Sequence, residues 1–452
     1  MLLLEDPVKR SAILPLVRAL NAAATVRGLL SDEDSEVRAR ACEALARISD
    51  IASVPALFEL LADPNPRVAH AAVSAILTLG SGETEGLALH AVHSTHPAVR
   101  RHALRIFGAF GYSSGFEPLR DAIGDSDRRI AELAIVGLGS IDDVRVEPLL
   151  IQIATSRDDA LRAAVMRAAA QRGGELARKL LARGLTDSGD WVRYYAAQGF
   201  GRLGPDAGAN ASELLVQRLR DHAAQVRIAA IESLSRIGSP EAWDAVCRAA
   251  ASEDPDERRA GLVGLGMHAR EGASALLAEA AHSPDQATRL VALASIARLP
   301  EPIAITILDE AVGDPSPEVQ TAALSLLAER DDEAAAAVLA RWALATPLEH
   351  PAHRALSRPG AKRVLAILSQ LGTADARSAP ILVAALGRMS FEMATVALFE
   401  ALALPNAATR AAAAATLVEL GARGAEHAVT ALAANDPDPE VRRVCTAALA
   451  PA

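Results

Sequence analysis

Apolar residues in this chain recur at offsets of four, eight and eleven from a set of anchor positions, the spacing that lines one face of an α-helix. Val37 is followed by Ala41, Leu45 and Ile48, Val68 by Ala72, Ile76 and Leu79, and Val99 by Ala103, Phe107 and Phe110. Val192 leads to Ala196, Phe200 and Leu203, and Val226 to Ala230, Leu234 and Ile237. The small alanine after each anchor lets a neighbouring helix come close. Val37, Val68, Val99, Ile130, Leu161 and Val192 stand 31 residues apart. The series continues less strictly through Val226, Arg258, Thr288, Val319, Thr409 and Val441.

Both ends of these helices are marked. Three residues before an anchor stand Asp34, Asn65, Asp127, Asp158, Asp285, Ser316, Asn406 and Asp438, whose side chains accept from the free N–H groups of a first turn. Pro66, Pro97, Pro317 and Pro439 follow, where the missing N–H costs no hydrogen bond. Gly80, Gly111, Gly204, Gly238 and Gly421 come just past the stripe, where a left-handed stop favours glycine. Ahead of each capped helix runs another apolar segment, such as Val54–Leu61 or Val146–Leu150. A single helical hairpin cannot bury both its faces, so the hairpins must stack on one another. The period of 31 differs from the tetratricopeptide period of about 34, and that repeat's Trp-Leu-Gly-Tyr pattern is absent.

Asp436-Pro437-Asp438-Pro439-Glu440-Val441-Arg442-Arg443 and Asp63-Pro64-Asn65-Pro66-Arg67-Val68 resemble the short bacterial HEAT-like repeat of the type associated with phycobilin lyases. The resemblance implies an all-α, right-handed α-solenoid (superhelix) of about 12–14 helical-hairpin repeats. It covers residues 22–330 as a regular array and 395–452 as C-terminal repeats. Residues 1–21, with a helix-like stretch from Ile13 to Leu20, are expected to cap the array. Residues 331–394 keep a helical composition but lose the register, with His353-Arg354 as one eroded anchor. The resemblance says little about function, because this repeat serves many unrelated proteins.

Composition narrows the field. Hydrophobic residues make up 51% of the 452 residues and aromatics only 3%, so the interior is built of Ala, Leu, Val and Ile, as suits close helices better than a β-sandwich. A net charge of −10 disfavours binding to a phosphate backbone. Cys42, Cys247 and Cys445 are far apart and read as small buried hydrophobes. The first residues lack the basic and apolar regions of a signal peptide, and no apolar run is long enough for a bilayer. A cytoplasmic protein without membrane association is expected.

Arginine follows the anchor at Arg38, Arg100, Arg162, Arg193, Arg227, Arg289, Arg410 and Arg442. Stacked, these form a ladder, open to two readings: an anion-binding groove, or structural pairing with loop acids such as Asp32, Asp125, Asp187 and Asp436. HEAT-like families use such Asp–Arg ladders structurally, and pairing is the expectation here. The scarce aromatics cluster as Trp191, Tyr194 and Tyr195 at the start of one second helix, off its apolar stripe. They either cover a junction between repeats or present a partner surface together with Arg162, Arg193 and Arg227. His70, His90, His93, His96 and His102 lie at unlike offsets and are read as solvated or hydrogen-bonded rather than as a metal site.

No phosphate-binding Gly-rich loop, Gly-x-Ser-x-Gly elbow or His-Glu-x-x-His helix occurs. HEAT-like deoxyhypusine hydroxylases use His-Glu pairs for two irons, and this chain has no His-Glu dipeptide. The reading that follows is a non-catalytic scaffold or adaptor without a cofactor, binding a protein on its concave surface. The alternatives are a phycobilin-lyase-like protein handling a chromophore or cofactor, and a nucleic-acid-binding HEAT-like protein. The last helix carries Val441, Cys445 and Leu449 with nothing after it. That stripe is expected to be covered by a partner or, as a homo-oligomer, by a second copy of the chain.

Overall fold

The computed structural model describes residues 23–268, 270, 272–299 and 303–450. Among the described residues there is no strand, and 28 helices form fourteen consecutive pairs. The chain is an all-α solenoid. The segment 1–21, expected as a cap, lies outside the described residues. No helix among them is long and apolar enough to cross a membrane.

The chain divides into two compact units, Met1–Ala245 and Val246–Ala452. The first holds repeats one to seven, from the pair Ala23–Gly28 and Ser35–Arg47 to the pair Ala211–Arg218 and Ala224–Ile237. The boundary falls in the first helix of repeat eight, Pro240–Ala250. The second unit holds repeats nine to fourteen, from Ala273–Ala281 and Gln286–Ile296 to Ala425–Asn435 and Pro439–Ala448. Within each unit the second helices of neighbouring repeats pack on one another.

All eight capping residues expected from the sequence sit at N-caps, and each side chain accepts from an N–H of the first turn. The anchors Val37, Val68, Ile130, Val192, Val226, Val319 and Val441 are fully buried, as are Ala41, Ala72, Ala103, Ala134, Ala196 and Ala230 four residues on. Burying one large aliphatic side chain contributes about 1.5–3 kcal/mol, and the alanines between them set the helix separation. One anchor is corrected. In repeat eight the N-cap is Asp254, so Glu257 takes the anchor position and Arg258 the ladder position after it. Polar Glu257 replaces the usual valine there, which hid the register.

Close approach also sets where glycine is needed. Gly111 ends the Pro97–Phe110 helix with φ +71°, and a Cβ there would meet the Ser140 carbonyl oxygen at 2.8 Å. Gly139 follows the Arg128–Leu138 helix, and a Cβ would lie 2.6 Å from the Ala168 carbonyl oxygen of the next repeat.

Arg–Asp rungs join six pairs of neighbouring repeats, four in the first unit and two in the second. Arg38 holds Asp63 bidentately at 2.8 and 3.0 Å, Arg162 holds Asp187 at 2.8 and 2.7 Å, and Arg193 holds Asp221 at 2.8 and 2.9 Å. Arg289 with Asp314 and Arg410 with Asp436 repeat the geometry in the second unit. Arg100 makes the single bond to Asp125 at 3.0 Å. The same arginines donate through Nη1 to carbonyls of their own loop, as Arg38 does to Asp32 and Arg162 to Ser156. Each aspartate also accepts the N–H of its own N-cap residue, Asn65, Asp127, Gly189, Ala223, Ser316 or Asp438. The partner acid lies in the following repeat. The pairing expected of the ridge is thus what these rungs show.

The irregular segment packs by other means. The second helix of repeat eleven shrinks to Pro351–Leu356, with His350 at its N-cap. His353, at the anchor position, is buried and donates to the Thr346 carbonyl at 3.2 Å. Arg363 is fully buried and donates to the carbonyls of Ala328, Arg330 and Arg358, each at 2.8 Å. The first two belong to the C-terminal end of the Pro317–Glu329 helix, whose last carbonyls lack intrahelical donors.

At the last repeat the exposed stripe expected from the sequence is corrected. Val441 and Cys445 are fully buried against the helices Ala407–Glu419 and Ala425–Asn435, and Leu449 packs beside them. The exposed positions of that helix include Glu440, Arg443, Thr446 and Ala447. The stripe that motivated a second copy is covered from within the chain, because the helix turns its apolar face onto its own repeat and the one before it. Cys42 is buried like Cys445, while Cys247 is half-buried; all three are free thiols. Burial pushes the Cys42 thiol up to about 12.

Three outcomes are expected. Asp221→Ala strands the Arg193 guanidinium, whose side chain is 5% exposed. Breaking a buried pair typically costs about 3–5 kcal/mol, and the lower end is expected because Asp190 still accepts from Arg193. Urea unfolding measures the loss, with Glu175→Gln at the exposed Lys179 pair expected to leave the midpoint in place. Second, burial alone would push the Asp63, Asp187 and Asp221 carboxyls up, but the hydrogen bonds from Arg38, Arg162 and Arg193 and from the N-cap N–H groups hold them below the ordinary value. A depressed folded-state value stabilises the fold fully above the unfolded value of about 4, and that contribution is lost progressively as pH falls from there through the lower folded value. The urea midpoint is expected to drop steeply below about pH 4, and less steeply in Asp187→Asn. Third, Gly139→Ala, a helix-favouring change by propensity, is expected to lower stability by about 1–3 kcal/mol, read by thermal melting.

Candidate functional site

The aromatic cluster sits where three second helices of the first unit lie side by side: Arg128–Leu138, Asp159–Arg172 and Asp190–Leu203. Gly189 caps the third helix without a side-chain bond, and Trp191 follows in its first turn. Val192 and Ala196 point into the core and are fully buried. Trp191, one residue before Val192, is therefore carried outward and is 55% exposed. Tyr194 and Tyr195 are half-buried beside it.

The three rings form one cluster. Trp191 meets Tyr194 edge-on at 5.3 Å between centroids and Tyr195 at 6.1 Å, and the two tyrosines meet edge-on at 5.1 Å. Such pairs contribute about 0.5–1.5 kcal/mol each beyond area burial, which holds the rings in place before anything binds. Gln198 Nε2 donates to the Tyr194 hydroxyl at 2.7 Å. Burial, then the charge of Glu232, raises the Tyr194 phenol above its ordinary value, so it stays a neutral hydroxyl. The Arg167 guanidinium lies 5.4 Å from the Tyr195 ring centre. Beside the rings a cleft of about 270 Å³ is lined by Trp191, Tyr195, Arg167, Ala163, Arg128 and Glu132 among others.

The arginines grouped with these aromatics take a different place. Arg193 is 4% exposed and is bonded to Asp221, Asp190 and the loop carbonyl of Asp187. Arg162 is bonded to Asp187 and the Ser156 carbonyl. Arg227 donates to the Asp221 carbonyl at 3.0 Å, next to the Arg193 rung. Their guanidinium donors serve the array, so the structure unites Trp191, Tyr194 and Tyr195 and sets the three ladder arginines apart from them. Arg167, Arg128 and Glu132 were not singled out from the sequence. The available signal was their offset from Leu161 and Ile130, which puts them on the same side of consecutive second helices as Tyr195.

The histidines do not assemble. Among the described residues no three His, Cys, Asp or Glu side chains are placed to hold a metal ion. Burial, and then the charges of Arg101, Arg105 and His70, lowers the His102 pKa and keeps its ring neutral.

A family model described as HEAT repeats matches residues 22–85, 84–170, 130–201, 177–266 and 273–357. No curated protein matches the chain in sequence. Among solved structures, importin beta is 12% identical with a TM-score of 0.45, over 99% of this chain and 76% of its own. The complex of CpcE and CpcF of phycocyanin lyase from Nostoc sp. PCC7120 is 19% identical with a TM-score of 0.33, over 51% and 94%. Human deoxyhypusine hydroxylase is 20% identical with a TM-score of 0.27, over 56% and 98%. These are distant likenesses of fold.

Proposed function

This chain belongs to the HEAT-repeat family, and we propose that it is a non-catalytic scaffold that binds a protein on the face of its second helices. The carrying observation is the Trp191, Tyr194 and Tyr195 cluster. It presents a pre-ordered, partly exposed aromatic surface in a chain with few aromatics. Rigid aromatic side chains lose little conformational entropy on binding and supply most of the energy at many protein interfaces. The cleft beside them crosses three repeats, as suits an extended surface rather than a small-molecule cavity. Arg167 borders it and offers charge at the rim, Arg128 is bonded to Asp158 beside it, and Arg162, Arg193 and Arg227 hold the repeats that carry it.

The test is an affinity pull-down from nuclease-treated native lysate. It compares the wild type with a Trp191→Ala, Tyr194→Ala, Tyr195→Ala variant matched for helical content by circular dichroism. A protein retained by the wild type and lost by the variant is expected. Retention by both would keep the scaffold and remove the aromatic site from it. Retention of no protein would sink the scaffold reading. An absorbance shift with a tetrapyrrole or a salt-dependent mobility shift with nucleic acid would then decide between the other two readings.

A further inference from the structure

We propose that a basic groove in repeats eleven and twelve docks an acidic segment of a protein partner, its carboxylates held by Arg354, Arg358 and Arg388. The proposal rests on the scaffold reading and names the chemistry of a partner for a second surface, in the other unit of the chain.

The groove exists because a rung is missing. Arg354 occupies the ladder position of repeat eleven, four residues after the N-cap His350 and one after the buried His353. Elsewhere the paired acid stands two residues ahead of the next second helix's N-cap. For the Ser378–Gly387 helix, whose N-cap is Arg377, that residue is Asp375. Asp375 instead accepts from the Ser378 hydroxyl and from the N–H groups of Arg377 and Ser378. The rung fails because the next helix opens with a serine that captures the acid. Unlike Arg38 or Arg410, Arg354 also makes no bond from its guanidinium to its own loop among the described residues. Its side chain is exposed.

Arg354 lines a groove of about 420 Å³ with Leu348, His350, Ser357, Arg358 and Arg388. Among the described residues no carboxylate lines it, and the neighbouring acids in sequence, Glu349 and Asp375, are not in its lining. Arg358 and Arg388 are exposed, and neither guanidinium takes part in an ion pair or side-chain hydrogen bond among the described residues. Between residues 349 and 388 stand six cations, Arg354, Arg358, Lys362, Arg363, Arg377 and Arg388, against those two acids. In a chain with a net charge of −10, this reverses the local sign.

The chemistry selects the occupant. Three unpaired guanidinium groups on two repeats suit several carboxylates on one strand, each able to take a two-point hydrogen bond. Leu348 at the groove is 61% exposed, so the segment that fits also carries an apolar side chain. A single small anion would leave that surface uncovered. A long nucleic acid would run off the patch onto acidic surface.

The direct test titrates a fluorescein-labelled peptide of glutamates interspersed with leucines into the full chain and follows anisotropy at low and raised salt. Saturable binding that weakens with salt is expected for the wild type. Arg354→Glu and Arg388→Glu are each expected to weaken it about tenfold, a loss of about 1.4 kcal/mol. Arg423→Glu, an exposed arginine away from the groove, makes the same charge change and is expected to leave binding intact. Circular dichroism checks folding, and Arg354→Gln and Arg388→Gln serve if the reversals disturb it. The proposal is overturned by absent saturable binding or by an equal loss in Arg423→Glu. It is also overturned by equal competition from inorganic phosphate or from an oligonucleotide of matched charge. The Trp191, Tyr194, Tyr195 variant separates the two surfaces. It should bind the peptide normally, and loss of binding there would move the site to the first unit and overturn the groove. Failure of the peptide to bind would leave the pull-down result, and with it the scaffold reading, unchanged.

Discussion

The array depends on a two-sided hydrogen-bonded ion pair. One arginine, at the second turn of a helix, satisfies carbonyls of its own loop and reaches a carboxylate in the next repeat. That carboxylate in turn accepts the N–H where the next second helix begins. A buried charge pair alone is a poor source of stability, because desolvation consumes most of the Coulombic gain. Here the remaining lone pairs and protons are also satisfied, which is the condition under which such a pair holds its geometry. What the rung supplies is register. It links the start of one helix to the position of the next, as Arg38 does through Asp63 and the N–H of Asn65.

That register explains why small residues are needed where they are. Gly139 meets a carbonyl of the following repeat at a distance no side chain allows, and the alanine column stays fully buried through repeat after repeat. Large apolar side chains fill the space between helices, while the small ones set how near the helices come. The irregular segment shows what replaces the rung when it fails. Buried Arg363 binds three backbone carbonyls and takes over the joining role. Arg354, left without an acid, turns into a surface feature. In this chain a structural residue becomes an available one through the loss of its partner.

The candidate surfaces follow from the same geometry. Trp191 is exposed because it precedes a buried anchor by one residue, and Tyr195 is half-buried because it follows that anchor by three. Sequence reasoning reached the aromatic cluster because aromatics are rare here and these three are adjacent. It did not reach Arg167, Arg128 or Glu132, which come from other repeats and meet Trp191 and Tyr195 only through stacking. It grouped Arg162, Arg193 and Arg227 with the aromatics on proximity in the chain, whereas their donors turn towards loops and neighbouring acids.

Sequence alone determined the helices, their caps, their buried stripes, the repeat and hence the family, because each depends on residues within a turn or two of one another and recurs many times. An aspartate at an N-cap or an alanine four residues after valine acts locally, and the repetition averages out the exceptions. The tertiary structure decided which arginine meets which acid, where one goes without, that the last apolar stripe faces inward, and that Glu257 takes an anchor's place. Those outcomes turn on side chains some 25 residues apart in the rungs, brought together only once helices have stacked. A carboxylate can then be captured by the adjacent serine or by the arginine of the preceding repeat, and the local order of residues does not say which.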